Sequence, residues 1–88
     1  MKTKIQFKTE VVNDIELSIP YYSKTKLNTY YKVYGVNDWD CIRVTNNTSF
    51  TEVSQTTISN AVSENCIECS ENEFKTALVE TISKLQTI

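Results

Sequence analysis

No histidine occurs in this 88-residue chain, and glycine and proline occur once each. The first absence removes the usual general base near neutral pH, and with it any serine or cysteine nucleophile activated by an imidazole. A single glycine cannot build a phosphate-cradling loop. No run of 18 apolar residues occurs, so no membrane-spanning helix is expected. The opening residues, Met1 to Lys8, are charged and alternating and lack the apolar core of a signal peptide. The expected setting is intracellular. Catalysis is not expected, and no cofactor is indicated.

What is present is β-branched. Eight Val, eight Ile and twelve Thr outweigh four Leu. Branching at Cβ stiffens χ1 and suits a pleated surface better than a helix. A chain of this length makes one domain, residues 1–88, with one small core.

The pattern along the chain divides into strands. Lys2, Lys4, Gln6 and Lys8 alternate with Ile5 and Phe7, which predicts a half-buried strand with a lysine-lined outer face. Asn13-Asp14 reads as a turn. Ile15, Leu17, Ile19 and Tyr21 then alternate with polar positions, forming a second strand hairpinned to the first. Pro20 cannot donate to a ladder and marks an edge or a strand end. Thr29–Val36 is a third strand, with Tyr30, Lys32 and Tyr34 on one face and Tyr31 and Val33 on the other. After a turn at 35–38, a fourth strand runs from Trp39 to Thr45, with Ile42 and Val44 inward. Asn46-Asn47-Thr48-Ser49 is a turn. It matches the glycosylation sequon twice but reads as polar loop. Residues 50–62 fit helical spacing through Phe50, Val53, Thr57, Ile58, Ala61 and Val62. Their Thr and Ser content favours a fifth strand.

The C-terminus carries the sharpest local signal. Ser70-Glu71-Asn72-Glu73 is a capping box, and Cys69 and Phe74 occupy the positions of a hydrophobic staple. Phe74, Ala77, Leu78, Thr81, Ile82 and Leu85 form one stripe at helical spacing. Glu71–Lys75 and Glu80–Lys84 are i,i+4 pairs in the favourable order. The expected architecture is α+β: a mainly antiparallel four- or five-stranded sheet with one C-terminal amphipathic helix, about residues 71–86, packed on one face.

Two groups of residues could carry function. Cys66-Ile67-Glu68-Cys69 is a CxxC, with Cys41 elsewhere. A helix N-terminus beside Cys69 would lower its thiol pKa and favour redox use. In extended chain, however, residues i and i+3 point to opposite faces, and three cysteines without histidine make a poor metal set. Cys66 and Cys69 are therefore read as small buried hydrophobes, with metal or redox use as the weaker reading.

The aromatic residues weigh more. All five Tyr fall between positions 21 and 34, Trp39 follows, and Lys24, Lys26 and Lys32 are interleaved. Tyr22, Tyr30, Lys32, Tyr34 and Trp39, with Lys4 and Lys8 of the first strand, form the candidate exposed interface. Tyr21, Tyr31 and Val33 are expected inward. Tyr and Trp are enriched at the centres of protein interfaces, and aromatic and cationic side chains on a sheet also serve single-stranded nucleic acid. Charge is split, with +2 over residues 1–44 and −4 over 45–88. The overall sign disfavours a dedicated nucleic-acid binder. It leaves a protein partner or self-association.

The segment Ile67-Glu68-Cys69-Ser70-Glu71-Asn72-Glu73-Phe74-Lys75-Thr76-Ala77-Leu78 resembles a C-terminal pattern of small phage-encoded proteins. In these a sheet is followed by a helix that opens Thr/Ser-x-x-Glu-Phe-x-x-Ala. Ile58–Val62 is similar to the end of their last sheet segment, so the resemblance spans about residues 58–85. Lys, Ile, Asn and Tyr make up 29 of 88 residues, in keeping with an AT-rich genome. The resemblance implies a phage or mobile-element origin, hence a setting in the host-cell cytoplasm or a virion, and carries no functional residues. The leading expectation is a non-enzymatic interaction protein that binds and inhibits a host defence protein. The alternatives are a structural accessory subunit of a virion or other assembly, and single-stranded nucleic acid binding.

Overall fold

The computed structural model describes residues 2–8, 12–47 and 50–86, the first two strands by backbone alone as far as residue 16. It is an α+β fold. Strands β1 (Lys2–Lys8) and β2 (Val12–Ser18) form an antiparallel hairpin. The other strands are β3 (Tyr21–Lys24), β4 (Thr29–Val33), β5 (Cys41–Asn46), β6 (Thr51–Thr56) and β7 (Ile67–Glu68). They make one antiparallel sheet in the order β6-β5-β4-β3-β7. Helix α1 (Ile58–Ala61) follows β6, and α2 (Glu71–Gln86) ends the fold.

The sequence expectations meet three corrections here. Asn13 and Asp14 are paired strand residues opposite Phe7 and Gln6, not a turn. The tight pairing of β1 and β2 prevails over their local turn preference. The strand expected across residues 15–22 breaks at Ile19-Pro20, where Pro20 removes a ladder donor. β2 ends in the hairpin, and β3 begins a different sheet. Residues 50–62 are strand and helix in succession. β6 ends at Thr56, and α1 takes Ile58 and Ala61 into the core.

The large sheet is apolar on both faces, and each face has its own cover. On the first, Tyr22 and Val44 pack with Phe74 and Ala77 of α2, flanked by Tyr30, Ile42, Cys69 and Leu78. On the second, Tyr31, Val33 and Cys41 pack with Ile58 and Ala61 of α1. Leu17, Ile19, Tyr21, Val62 and Cys66 border that cluster. Ser23 points to the second face, where its hydroxyl donates to the Ala61 carbonyl at 2.7 Å and pins α1 to β3.

Helix α2 is placed as its sequence dictates. The Ser70 hydroxyl accepts from the Glu73 amide at 3.1 Å, and the Glu73 carboxylate accepts from the Ser70 amide at 2.8 Å. The other oxygen of that carboxylate bonds Lys24 Nζ of β3 at 2.5 Å. One side chain thus caps the helix and ties it to the sheet. Glu71 and Lys75 pair at 3.0 Å as expected. The Tyr22 and Phe74 rings meet at 5.5 Å and 50°, a tilted aromatic contact.

Phe74→Ala should cost about 3–5 kcal/mol, because it opens a cavity in a cluster with few other members. Val79→Ala, on the exposed side of the same helix, should change stability by less than about 0.5 kcal/mol. Urea unfolding followed by circular dichroism measures both.

Glu73 also sets a pH dependence. The Lys24 ammonium, and then the Ser70 amide, hold its carboxyl below the usual carboxylate range. A depressed folded-state pKa contributes stability above the unfolded value of about 4.3, and that stability is lost as pH falls through the folded value. The wild type should therefore lose thermal stability on acidification below about pH 4.3, and Glu73→Gln should flatten that part of the profile.

Candidate functional site

The structure divides the expected aromatic interface. Tyr22 was expected on the surface and is in the core, 8% exposed. The face shared by Tyr22, Tyr30 and Lys32 is the one that α2 covers. Tyr30 is half-buried and lines a cleft of about 410 Å³ between α2 and the β3–β4 turn, with Asn28, Asn46, Thr76 and Glu80. Lys32 is half-buried and lies 5.9 Å from the Tyr22 ring centroid. Its charge is directed at an aromatic face within the fold. Lys4 and Lys8 lie on β1, and their side chains fall outside the described residues. Tyr31 and Val33 are buried as expected, and Tyr21 is half-buried beside them.

Tyr34 and Trp39 remain exposed. The third and fourth strands are shorter than the sequence suggests. β4 ends at Val33 and β5 starts at Cys41, so residues 34–40 form a loop. On it stand Tyr34, 43% exposed, Val36, 50%, and Trp39, 56%. Val36, expected at a strand end, stands exposed on the same loop instead.

This loop is held firmly. The Tyr34 amide donates to the Asp40 carbonyl at 3.0 Å, and the Asp40 amide to the Asn37 carbonyl at 2.9 Å. The Asp40 carboxylate accepts from the Asn37 amide at 3.1 Å. Gln55 of β6 donates to the Trp39 carbonyl at 2.7 Å, and the Ile58 amide donates to the Asp38 carbonyl at 2.8 Å. The chain's one glycine belongs to the same device. A Cβ at Gly35 would fall on the Asp40 carboxylate. Every one of these bonds uses backbone atoms or polar side chains. The Tyr34, Val36 and Trp39 side chains take no part and are left outward.

The cysteines separate as extended geometry requires. Cys66 packs at the Tyr31 cluster and Cys69 at the Phe74 cluster, on opposite faces of the sheet, each half-buried at the border of its cluster where full burial was expected. Cys66 Sγ donates to the Asn60 carbonyl at 3.3 Å. The helix N-terminus does not activate Cys69. Burial, with Glu73 nearby, pushes its thiol up to about 11, and burial pushes Cys41 up to about 12. Among the described residues no three Cys, Asp or Glu side chains gather as metal ligands, and no described helix is long and apolar enough to cross a membrane.

Gly35→Ala should force the Asp40 carboxylate off the Asn37 amide at a cost of about 1–3 kcal/mol. Thermal unfolding would show the loss. Trp39 fluorescence anisotropy should fall as the loop loosens, whereas an unchanged anisotropy would mean that the Asp40 clamp does not fix the loop.

Comparison with protein-family models, with curated proteins and with solved structures finds no match to this chain.

Proposed function

We propose that the chain is a non-enzymatic protein-interaction module of phage or mobile-element origin, which binds and inhibits a host protein through the 34–40 loop. The observation that carries this reading is the combination of rigidity and exposure on one short segment. Large apolar side chains exposed singly need no explanation. Three within six residues, on a loop fixed by five hydrogen bonds, form a preorganised contact surface. Binding through a rigid loop avoids most of the ordering entropy that a flexible one loses. Trp and Tyr are the residues whose truncation most often weakens protein complexes. The covered Tyr22–Lys32 face makes a stacking platform for nucleic acid a less favoured use of the same residues.

The test is a tagged pull-down from bacterial host lysate, with nuclease, comparing wild type with Tyr34→Ala/Trp39→Ala. The loop bonds engage only the Tyr34 amide and the Trp39 carbonyl, so the double variant should keep its circular dichroism spectrum. A host protein captured stoichiometrically by the wild type should bind the variant at least about 30-fold more weakly, the effect of losing one strong hot spot. Equal capture by the folded variant would exclude the loop as the contact.

A further inference from the structure

Strand β6 closes one side of the sheet with few of the usual protections. It is six residues long, contains no proline, and carries one charge, Glu52. Its ladder with β5 fixes which backbone groups are free. The Asn47 amide donates to the Phe50 carbonyl, one step beyond the Asn46–Thr51 pair. Hydrogen-bonded and non-bonded pairs alternate along an antiparallel ladder. The amides and carbonyls of Glu52, Ser54 and Thr56 therefore turn toward β5. Those of Thr51, Val53 and Gln55 turn outward. The Asn46 amide agrees, since it donates away from β6 to the Asn28 carbonyl at 3.0 Å.

The helix reaches this edge strand. Packing of Val44 against Phe74 and Ala77 sets the α2 face of the sheet, and Val53 lies opposite Val44 on that face. Helix α2 contacts every strand from β3 to β6. Its apolar stripe is buried at Phe74, Ala77 and Thr81, yet Ile82 and Leu85 remain 41% exposed and Val53 39%. The end of the stripe and the neighbouring strand position thus stay partly open to solvent.

We infer that two copies of the chain pair antiparallel through β6, with Val53 opposite Val53 on a two-fold axis normal to the sheet. This register joins every outward group: Val53 bonds Val53 of the second copy, and Thr51 bonds Gln55. Both α2 helices then lie on the same side of one continuous sheet, and their Ile82 and Leu85 residues flank the axis over the Val53 pair. The contact is isologous and closes at two copies.

Charge on the opposite face selects a second copy as the occupant. There, Glu52 comes to stand directly across from Ser54 of the other copy. Within each chain Arg43 reaches Ser54 Oγ at 3.5 Å and Glu52 only loosely, at 3.8 Å. Pairing places the second copy's carboxylate in the same cross-strand row as Arg43, so opposite charges meet across the interface and the two Glu52 carboxylates do not face each other directly.

Sedimentation velocity over a range of concentrations tests the inference on the intact chain. The wild type should sediment as a dimer that dissociates on dilution. Val53→Pro removes an amide that faces away from β5, so the intrachain ladder survives. It should leave circular dichroism unchanged and weaken dimerisation at least tenfold. Glu52→Arg should weaken it too, and Glu52→Arg with Arg43→Glu should restore it, which decides the matter if the proline variant fails to fold. A wild type that stays monomeric at the highest concentration would overturn the inference, as would a dimer that persists in folded Val53→Pro. So would a monomer whose Val53 amide becomes protected from exchange only when a different protein binds.

Discussion

Two apolar faces on one sheet impose the governing constraint. A five-stranded sheet with hydrophobic side chains on both sides must be covered twice, and a chain of this length has little material for either cover. One long helix serves the first face. The second is served by a single helical turn, the border of the β1–β2 hairpin and the segment that leads to β7. Most large side chains between Tyr21 and Val44 are absorbed in this way. The covers leave the Tyr34, Val36 and Trp39 side chains of the 34–40 loop exposed at one end, and the outward backbone groups of β6 without a strand at one side.

The attachment of α2 shows how local and tertiary terms combine. The capping box alone would start the helix anywhere. Lys24 gives it a location, because Glu73 uses one carboxylate oxygen for the Ser70 amide and the other for a β3 lysine. Partly exposed ion pairs contribute little stability on their own. Here the pair acts together with the Tyr22–Phe74 contact and the Cys69 amide, which donates to the Tyr22 carbonyl at 3.0 Å. Three interactions of different kinds converge on β3 within a few residues of the helix start, so the position of the helix does not rest on its charges.

The helix and its cap were legible in the sequence because their signals are local: a spacing, a cap and a staple. The partition of Tyr30 and Lys32 from Tyr31 and Val33 was legible for the same reason, since alternation fixes parity. Which parity faces a cover is a tertiary matter. With both faces apolar, alternation could not say that α2 would choose the Tyr22 side, and Tyr22 was placed on the surface accordingly. Residues 50–62 read ambiguously because they contain two elements, each too short to impose its own period. The fixed loop at 34–40 left only one trace in the sequence, the single glycine beside the two carboxylates of Asp38 and Asp40.

The placement of Cys66 and Cys69 has a use of its own. Three residues apart along the chain, they report on different halves of the molecule, one thiol sheltered by α1 and its neighbours and the other by α2. Detachment of either layer would expose one half-buried thiol further and leave the other as it is. Thiol-modification rates at the two sites thus measure the opening of each layer separately, in the unaltered chain and without an introduced probe.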